Sequence, residues 1–170
     1  MQRGQRVRDM NWNDPKYIRA GIIPVVEQHG VRFYGFGLDN NVGQLGDFGG
    51  HYEHVDADLL DTAIREYEEE SLNVFGVLTR DLLQDCVVLD GTDTIEILVP
   101  VPPPFYAYTQ RFRAMITTNT EHEIQDIVWL SAKQVITAID SQQATHQQTK
   151  LYHMYTRIHD VLRRNRDAFY

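Results

Sequence analysis

The sequence predicts an α+β domain, a mixed central sheet flanked by helices in an α/β/α sandwich, and three observations carry that prediction. Residues 19–27 and 31–38 are two β-branched and aromatic runs separated by His29-Gly30, which reads as a hairpin. Residues Asp58 to Leu72 carry Leu60, Ala63, Ile64 and Tyr67 at the i, i+3, i+4, i+7 spacing of a helix. Beyond them, strand-like and helix-like segments follow one another without regular alternation.

Along the chain, Asp39-Asn40-Asn41 closes the second strand and a glycine-dense stretch, Gly43 to Gly50, follows. Within it Asp47-Phe48-Gly49-Gly50 suits a tight backbone turn whose carbonyls can approach a metal or phosphate with no side chain in the way. Asp58 is the expected N-cap of the helix. Downstream, 84–89 and 94–101 read as strands, 105–116 as a helix or an irregular insertion, and 127–130 as a short strand. Residues 132–139 read as a helix and 145–166 as a long C-terminal helix. With 170 residues, no internal repeat and no low-complexity tract, the chain is expected to form one domain with its core at about 18–140.

An apolar share of 42% is too high for a disordered segment and predicts a folded protein. The net charge of −8 argues against non-specific binding to nucleic acid or anionic membranes, although Arg157, Arg163, Arg164 and Arg166 gather near the C-terminus and Arg3, Arg6 and Arg8 near the start. The single cysteine, Cys86, excludes an intrachain disulfide and a cysteine-based zinc cluster; between apolar neighbours it is expected to be a small buried side chain. No run approaches the ~18 apolar residues of a membrane span and Met1 to Trp12 lacks an apolar core, so the expected location is cytoplasmic.

The most informative segment is Arg65-Glu66-Tyr67-Glu68-Glu69-Glu70. At ~100° per residue, Glu66, Glu69 and Glu70 fall in one sector beside the apolar stripe, while Glu68 points away. Like charges at this spacing repel by a few tenths of a kcal/mol, so the arrangement destabilises the helix unless cations sit among the carboxylates. Oxygen ligands suit Mg²⁺ or Mn²⁺, and Mg²⁺ typically uses one or two carboxylates together with substrate phosphates. Arg65 lies four residues before Glu69, within reach of an ion pair.

These residues resemble the Nudix box, G-x5-E-x7-R-E-U-x-E-E-x-G-U, where U is a bulky apolar residue. Arg65 to Glu70 match its R-E-U-x-E-E core at every position, Gly49, Gly50 and Glu53 stand as in many members, and Asp56 takes the place of the first motif glutamate. Three departures stand out. One extra residue lies between Asp56 and Arg65, Leu72 replaces the box glycine, and Asn73 replaces the final apolar residue. Because that glycine normally permits a left-handed helix exit, the exit here is expected to differ, shifted towards Gly76. The acidic segment Glu121 to Asp126 before Trp129 resembles the family's loop ahead of a tryptophan strand, which extends the likeness over roughly residues 18–140.

The resemblance implies the Nudix fold and a hydrolase dependent on Mg²⁺ or Mn²⁺ that cleaves a phosphoanhydride bond in a nucleoside diphosphate linked to another group. It implies Glu69 and Glu70 as metal ligands, Glu66 as a third ligand or the base, the Gly49 carbonyl as a backbone ligand, and Arg65 as an orienting residue. Glu123 is the first loop candidate for the base and Glu121 the second. Trp129 is expected in the core, and Tyr34 and Phe36 either in the core or stacked on a base. The subgroup marks for ADP-ribose, dinucleoside polyphosphate and NADH enzymes are missing near Val88, Leu89 and Asp90, which leaves a nucleoside triphosphate, a sugar nucleotide or an mRNA cap open, and the overall acidity makes a small nucleotide the expected substrate. An mRNA cap, with RNA running along the basic C-terminal segment, and a non-catalytic nucleotide-binding or regulatory module are the alternatives. A homodimer is an assembly the family often adopts.

Overall fold

Strands β2 (Arg19–Gln28) and β3 (Val31–Asp39) form the predicted hairpin, and His29 and Gly30 turn it with φ of 53° and 74°. Two consecutive positive φ values are what a two-residue hairpin turn of the I′ type requires. The structure is a computed structural model that describes residues 4–118, 121–145 and 151–170.

The described residues contain ten strands in one mixed sheet. β7 (Thr94–Pro100) runs parallel to β2 along one edge, followed outward by β6 (Val87–Asp90) and the short β1 (Gln5–Arg6). The other edge of β2 is shared, with β5 (Phe48–His51) on Arg19–Ile22 and β3 on Val25–Gln28. β8 (Asp126–Ser131) follows one edge of β3, and β4 (Gln44–Gly46) takes the end of the other. β2 and β3 therefore part beyond Val25 and Tyr34, and the contiguous segment β4–Asp47–β5 fills the opening. The glycine-dense stretch is accordingly not the tight turn the sequence suggested. Its Phe48–His51 part is extended because Gly49 and Gly50 pair in register with Gly21 and Ala20.

Successive strand residues point to opposite faces and divide the core in two. Ile22, Ile95, Ile97 and Trp129 pack with α1 (Leu59–Glu70) and α2 (Phe105–Ile116) on one face. Ile23, Tyr34, Phe36, Val128 and Leu130 pack with α3 (Ala132–Ser141) and α4 (Thr156–Arg164) on the other. The expected α/β/α sandwich is thus the observed one, and 105–116 resolves as a helix. Trp129, Tyr34 and Phe36 are all core residues, and the Trp129 indole donates to Thr109 Oγ1 at 2.9 Å. Cys86 is only half-buried. No helix among the described residues is long and apolar enough to cross a membrane.

The C-terminal segment corrects the sequence reading. In place of one helix over 145–166 there are β9 (Gln143–Thr145), β10 (Leu151–Met154) and α4, with residues 146–150 of the expected helix outside the described residues. β10 pairs antiparallel with β9 and parallel with β4, so its backbone completes the sheet. Helical spacing of buried residues begins only with Ile158, Val161 and Leu162.

The exit of α1 is a second correction. The left-handed turn stays at the box position, with φ of 53° at Leu72 and 58° at Asn73. Asn73 N–H donates to Glu68 O at 2.9 Å and Leu72 N–H to Glu69 O at 3.3 Å, the paired bonds of a Schellman cap. Leu72 packs against the core, which compensates for a conformation that costs a non-glycine residue roughly 1–2 kcal/mol. Leu72→Gly, which removes strain and contact together, is expected to change stability by less than about 1 kcal/mol, whereas Leu72→Val should lose about 2 kcal/mol or more. Urea unfolding of both variants checks this, and equal losses would show that burial alone sets the exit.

Candidate functional site

A cleft of about 480 Å³ opens where β2 and β3 part. Two glycine pairs in strand register, Gly21 with Gly49 and Gly37 with Gly46, lie at this opening. Their lack of side chains has a purpose on each side. A Cβ on Gly49 would stand 2.7 Å from the Ala20 carbonyl oxygen, and one on Gly50 would collide with the Glu66 carboxylate. The bare backbone thus lets β5 lie against β2 at Gly49 and leaves the Glu66 carboxylate its place over Gly50.

α1 starts where predicted, with the Asp58 carboxylate accepting from Asp61 N–H at 3.1 Å. Arg65 is the hub of its exposed side. Its principal partner is Asp56, not Glu69: Nε and Nη2 reach the two Asp56 oxygens at 2.8 and 2.9 Å. Asp56 also accepts from Thr62 Oγ1 at 2.9 Å and Glu53 N–H at 3.1 Å. The Arg65 hydrogen bond, helped by these donors, holds the Asp56 carboxyl at about 2 although burial opposes it. Arg65 Nη1 extends to Glu66 at 3.0 Å and to Glu69 at 3.5 Å, and Nη2 to the His51 carbonyl at 3.3 Å.

Of the residues singled out from the sequence, Gly49, Glu66, Glu70 and Glu123 line the cleft together. Burial raises the Glu66 carboxyl against the pull of Arg65, and the charges of Glu69 and Glu53 add to the rise. The Glu70 carboxyl is pushed up to about 8, first by burial and then by the charges of Glu123, Glu66 and Asp47. One of its oxygens is buried with no hydrogen-bond partner. Glu69 stands on the outer lip with a side chain 62% exposed, and Glu121 is exposed and does not line the cleft. Among the described residues no three His, Cys, Asp or Glu side chains converge as a ready-made metal cage.

The loop carrying Glu123 is pinned at both ends. His122 Nε2 donates to the Glu70 carbonyl at 2.8 Å, and Gln125 N–H donates to the Leu38 carbonyl at 2.8 Å. Glu123 is thereby set between the end of α1 and the end of β3.

Sequence reasoning missed a buried group behind the glycines. Arg19, first in β2, donates to Asp47 at 2.8 Å and approaches Glu96 at 3.5 Å, and all three are buried. Burial alone would raise the Asp47 carboxyl, but Arg19 and the adjoining Glu96 hold it low. Burial and the Asp47 charge push the Glu96 carboxyl well up. The available signal was Glu96 itself, a charge in the middle of the apolar run Thr94 to Val99.

Two outcomes follow from these environments. Asp47→Ala leaves Arg19 buried without its partner and is expected to cost about 3–5 kcal/mol in urea unfolding, while a loss below about 1 kcal/mol would mean that water reaches Arg19 instead. Because the folded-state value of Glu70 lies above that of the unfolded chain, folding takes up a proton and stability falls as pH rises from the ordinary carboxylate range to about 8. Glu70→Gln should therefore raise Tm in metal-free buffer at about pH 8.5 and leave it nearly unchanged at about pH 4. Equal gains at both values would show that ionisation is not the cause.

No protein-family model matches the sequence, and no curated protein does. Among solved structures the chain is similar to a C. elegans Ap4A hydrolase in a binary complex, with 16% identity, 89% of this chain and 95% of that chain covered, and a TM-score of 0.50. It is also similar to C. elegans Ap4A hydrolase in a second structure, with 13% identity, 73% and 87% covered, and a TM-score of 0.45. At such identity the first likeness speaks to architecture, and it joins the helix-flanked mixed sheet described above: the chain has the α+β fold of Nudix enzymes.

Proposed function

We propose that the protein is a divalent-metal-dependent hydrolase that cleaves a phosphoanhydride bond in a small nucleotide, a nucleoside diphosphate linked to another group. The observation that carries this reading is the facing of Glu66 and Glu70 on α1 with Glu123 on the pinned loop across a glycine-lined cleft. Burial first, and then the charges of Glu123, Glu66 and Asp47, push the Glu70 carboxyl up, and one of its oxygens is buried without a donor, an arrangement that destabilises the protein unless a cation enters. The donor set fits Mg²⁺ or Mn²⁺, which take oxygen ligands and leave positions for phosphate.

Glu66 and Glu70 would hold the ion with the Gly49 carbonyl, and Glu69 would join from the outer lip by releasing Arg65. Bound there, the ion would supply the positive charge that offsets the anionic anhydride. Glu123, at the open side of the cleft, is the favoured general base for the attacking water, ahead of Glu121, which does not line the cleft. Arg65 fixes the Glu66 rotamer while Asp56 fixes Arg65. The similar solved enzyme acts on Ap4A, but Val88 and Leu89, where the family mark for dinucleoside polyphosphates would fall, are buried in β6. The nucleotide is therefore left as a class.

The test is phosphate or nucleotide release from nucleoside triphosphates, dinucleotides, sugar nucleotides and capped RNA with Mg²⁺ or Mn²⁺. Turnover should vanish with chelator, and Glu70→Gln and Glu69→Gln should each lower it by a factor of roughly 100 or more, the scale of losing one transition-state electrostatic contact. Divalent cations should also raise Tm. Cation binding without turnover on any substrate would favour a non-catalytic nucleotide-binding module.

A further inference from the structure

We infer that Tyr155, delivered by the C-terminal strand pair, forms with Asp39 and Gln44 the nucleoside end of the cleft, with the Tyr155 ring as the surface on which the base stacks. This rests on the reading of the cleft as a nucleotide site. Tyr155 follows β10 directly, and its N–H donates to the Leu45 carbonyl at 2.8 Å. Its ring lies over the Arg19 guanidinium with 5.5 Å to the centroid, and its hydroxyl accepts from Arg157 Nη1 at 3.2 Å. Backbone, ring and hydroxyl are thus each anchored, so little side-chain freedom remains to be lost on binding. Gly46 adjoins Tyr155, where an added Cβ would come into ordinary contact at 3.7 Å.

Charge divides the cleft in the same sense. Arg19, the only Arg or Lys lining it among the described residues, is committed to Asp47, while Asp39, Asp47, Glu53, Glu66, Glu70 and Glu123 are all acids. An anionic group is tolerated only where a cation joins the α1 carboxylates. The end formed by Tyr155, Asp39 and Gln44 suits a neutral group with hydroxyls and a flat ring. Asp39 and Gln44 are direct partners across β3 and β4, so a carboxylate acceptor and an amide stand side by side, and the Gln44 side chain has no partner among the described residues. Ribose hydroxyls can donate to the first and bond either way to the second.

The test compares, with Mn²⁺ present, the affinity for ADP with that for inorganic tripolyphosphate, which has no base or ribose. Calorimetry reads binding whether or not turnover occurs, so absent turnover would sink the hydrolase reading without touching this one. Tyr155→Ala is expected to lower the ratio of the two affinities about tenfold, within the range for loss of one aromatic stacking partner, and Tyr155→Phe to restore most of it. An unchanged ratio in Tyr155→Ala, or an equal loss for both ligands, would overturn the inference. Should Tyr155→Ala unfold, Tyr155→Leu, which keeps bulk without a ring face, gives the same reading.

Discussion

The Arg19–Asp47 ion pair sets the point at which the sheet divides. Arg19 opens β2, and Asp47 is the one residue between β4 and β5, so their contact ties together the two strand systems whose separation makes the cleft. The pair is buried, and burying charge is unfavourable unless partners replace water. Glu96, pushed well up by burial and by Asp47, is the second acid beside Arg19. Gly21 and Gly49 leave the Asp47 carboxylate the space that any side chain there would fill. β5 is thereby fixed, and Gly50 leaves room for the Glu66 carboxylate of α1.

On the α1 side the governing problem is repulsion. Glu66 and Glu70 are held where burial and their neighbours oppose ionisation. Arg65 balances part of that charge, and Asp56 holds Arg65 in place through two hydrogen bonds. Two departures from the motif meet here: a shorter acid at Asp56 and one extra residue between it and Arg65. Glu53 N–H and Thr62 Oγ1 of α1 both donate to that shorter acid, so the motif's spacing changes while the arginine keeps a two-point partner.

Much of this was legible in the sequence wherever periodicity speaks. The hairpin at His29-Gly30, the helix capped by Asp58 and the carboxylates of Arg65 to Glu70 follow from local pattern alone. What was not legible depends on partners distant in the chain. The strand character of Phe48–His51 comes from β2, that of Leu151–Met154 from β4, and neither run carries a distinctive alternation of its own. Arg19, Asp47 and Glu96 are separated by up to 77 positions, and nothing local in the sequence marks the pairing. Helical spacing likewise groups Glu69 with Glu66 and Glu70, but the turn of the helix against β5 brings only the latter two inward. Leu72 shows the converse, a position where local preference pointed to another exit and core packing overrode it.

The parallel seam between β4 and β10 has a consequence for how the cleft is distributed along the chain. The carboxylates, the buried ion pair and the glycines all lie within the first 125 positions, whereas Tyr155 reaches the same cleft from the last strand. In chain order the α1 carboxylates and the buried ion pair therefore precede the residue that closes the other end of the cleft. The two ends of the cleft thus belong to segments far apart in the chain, so a substitution at Tyr155 alters one end while Glu66 and Glu70 keep their places on α1.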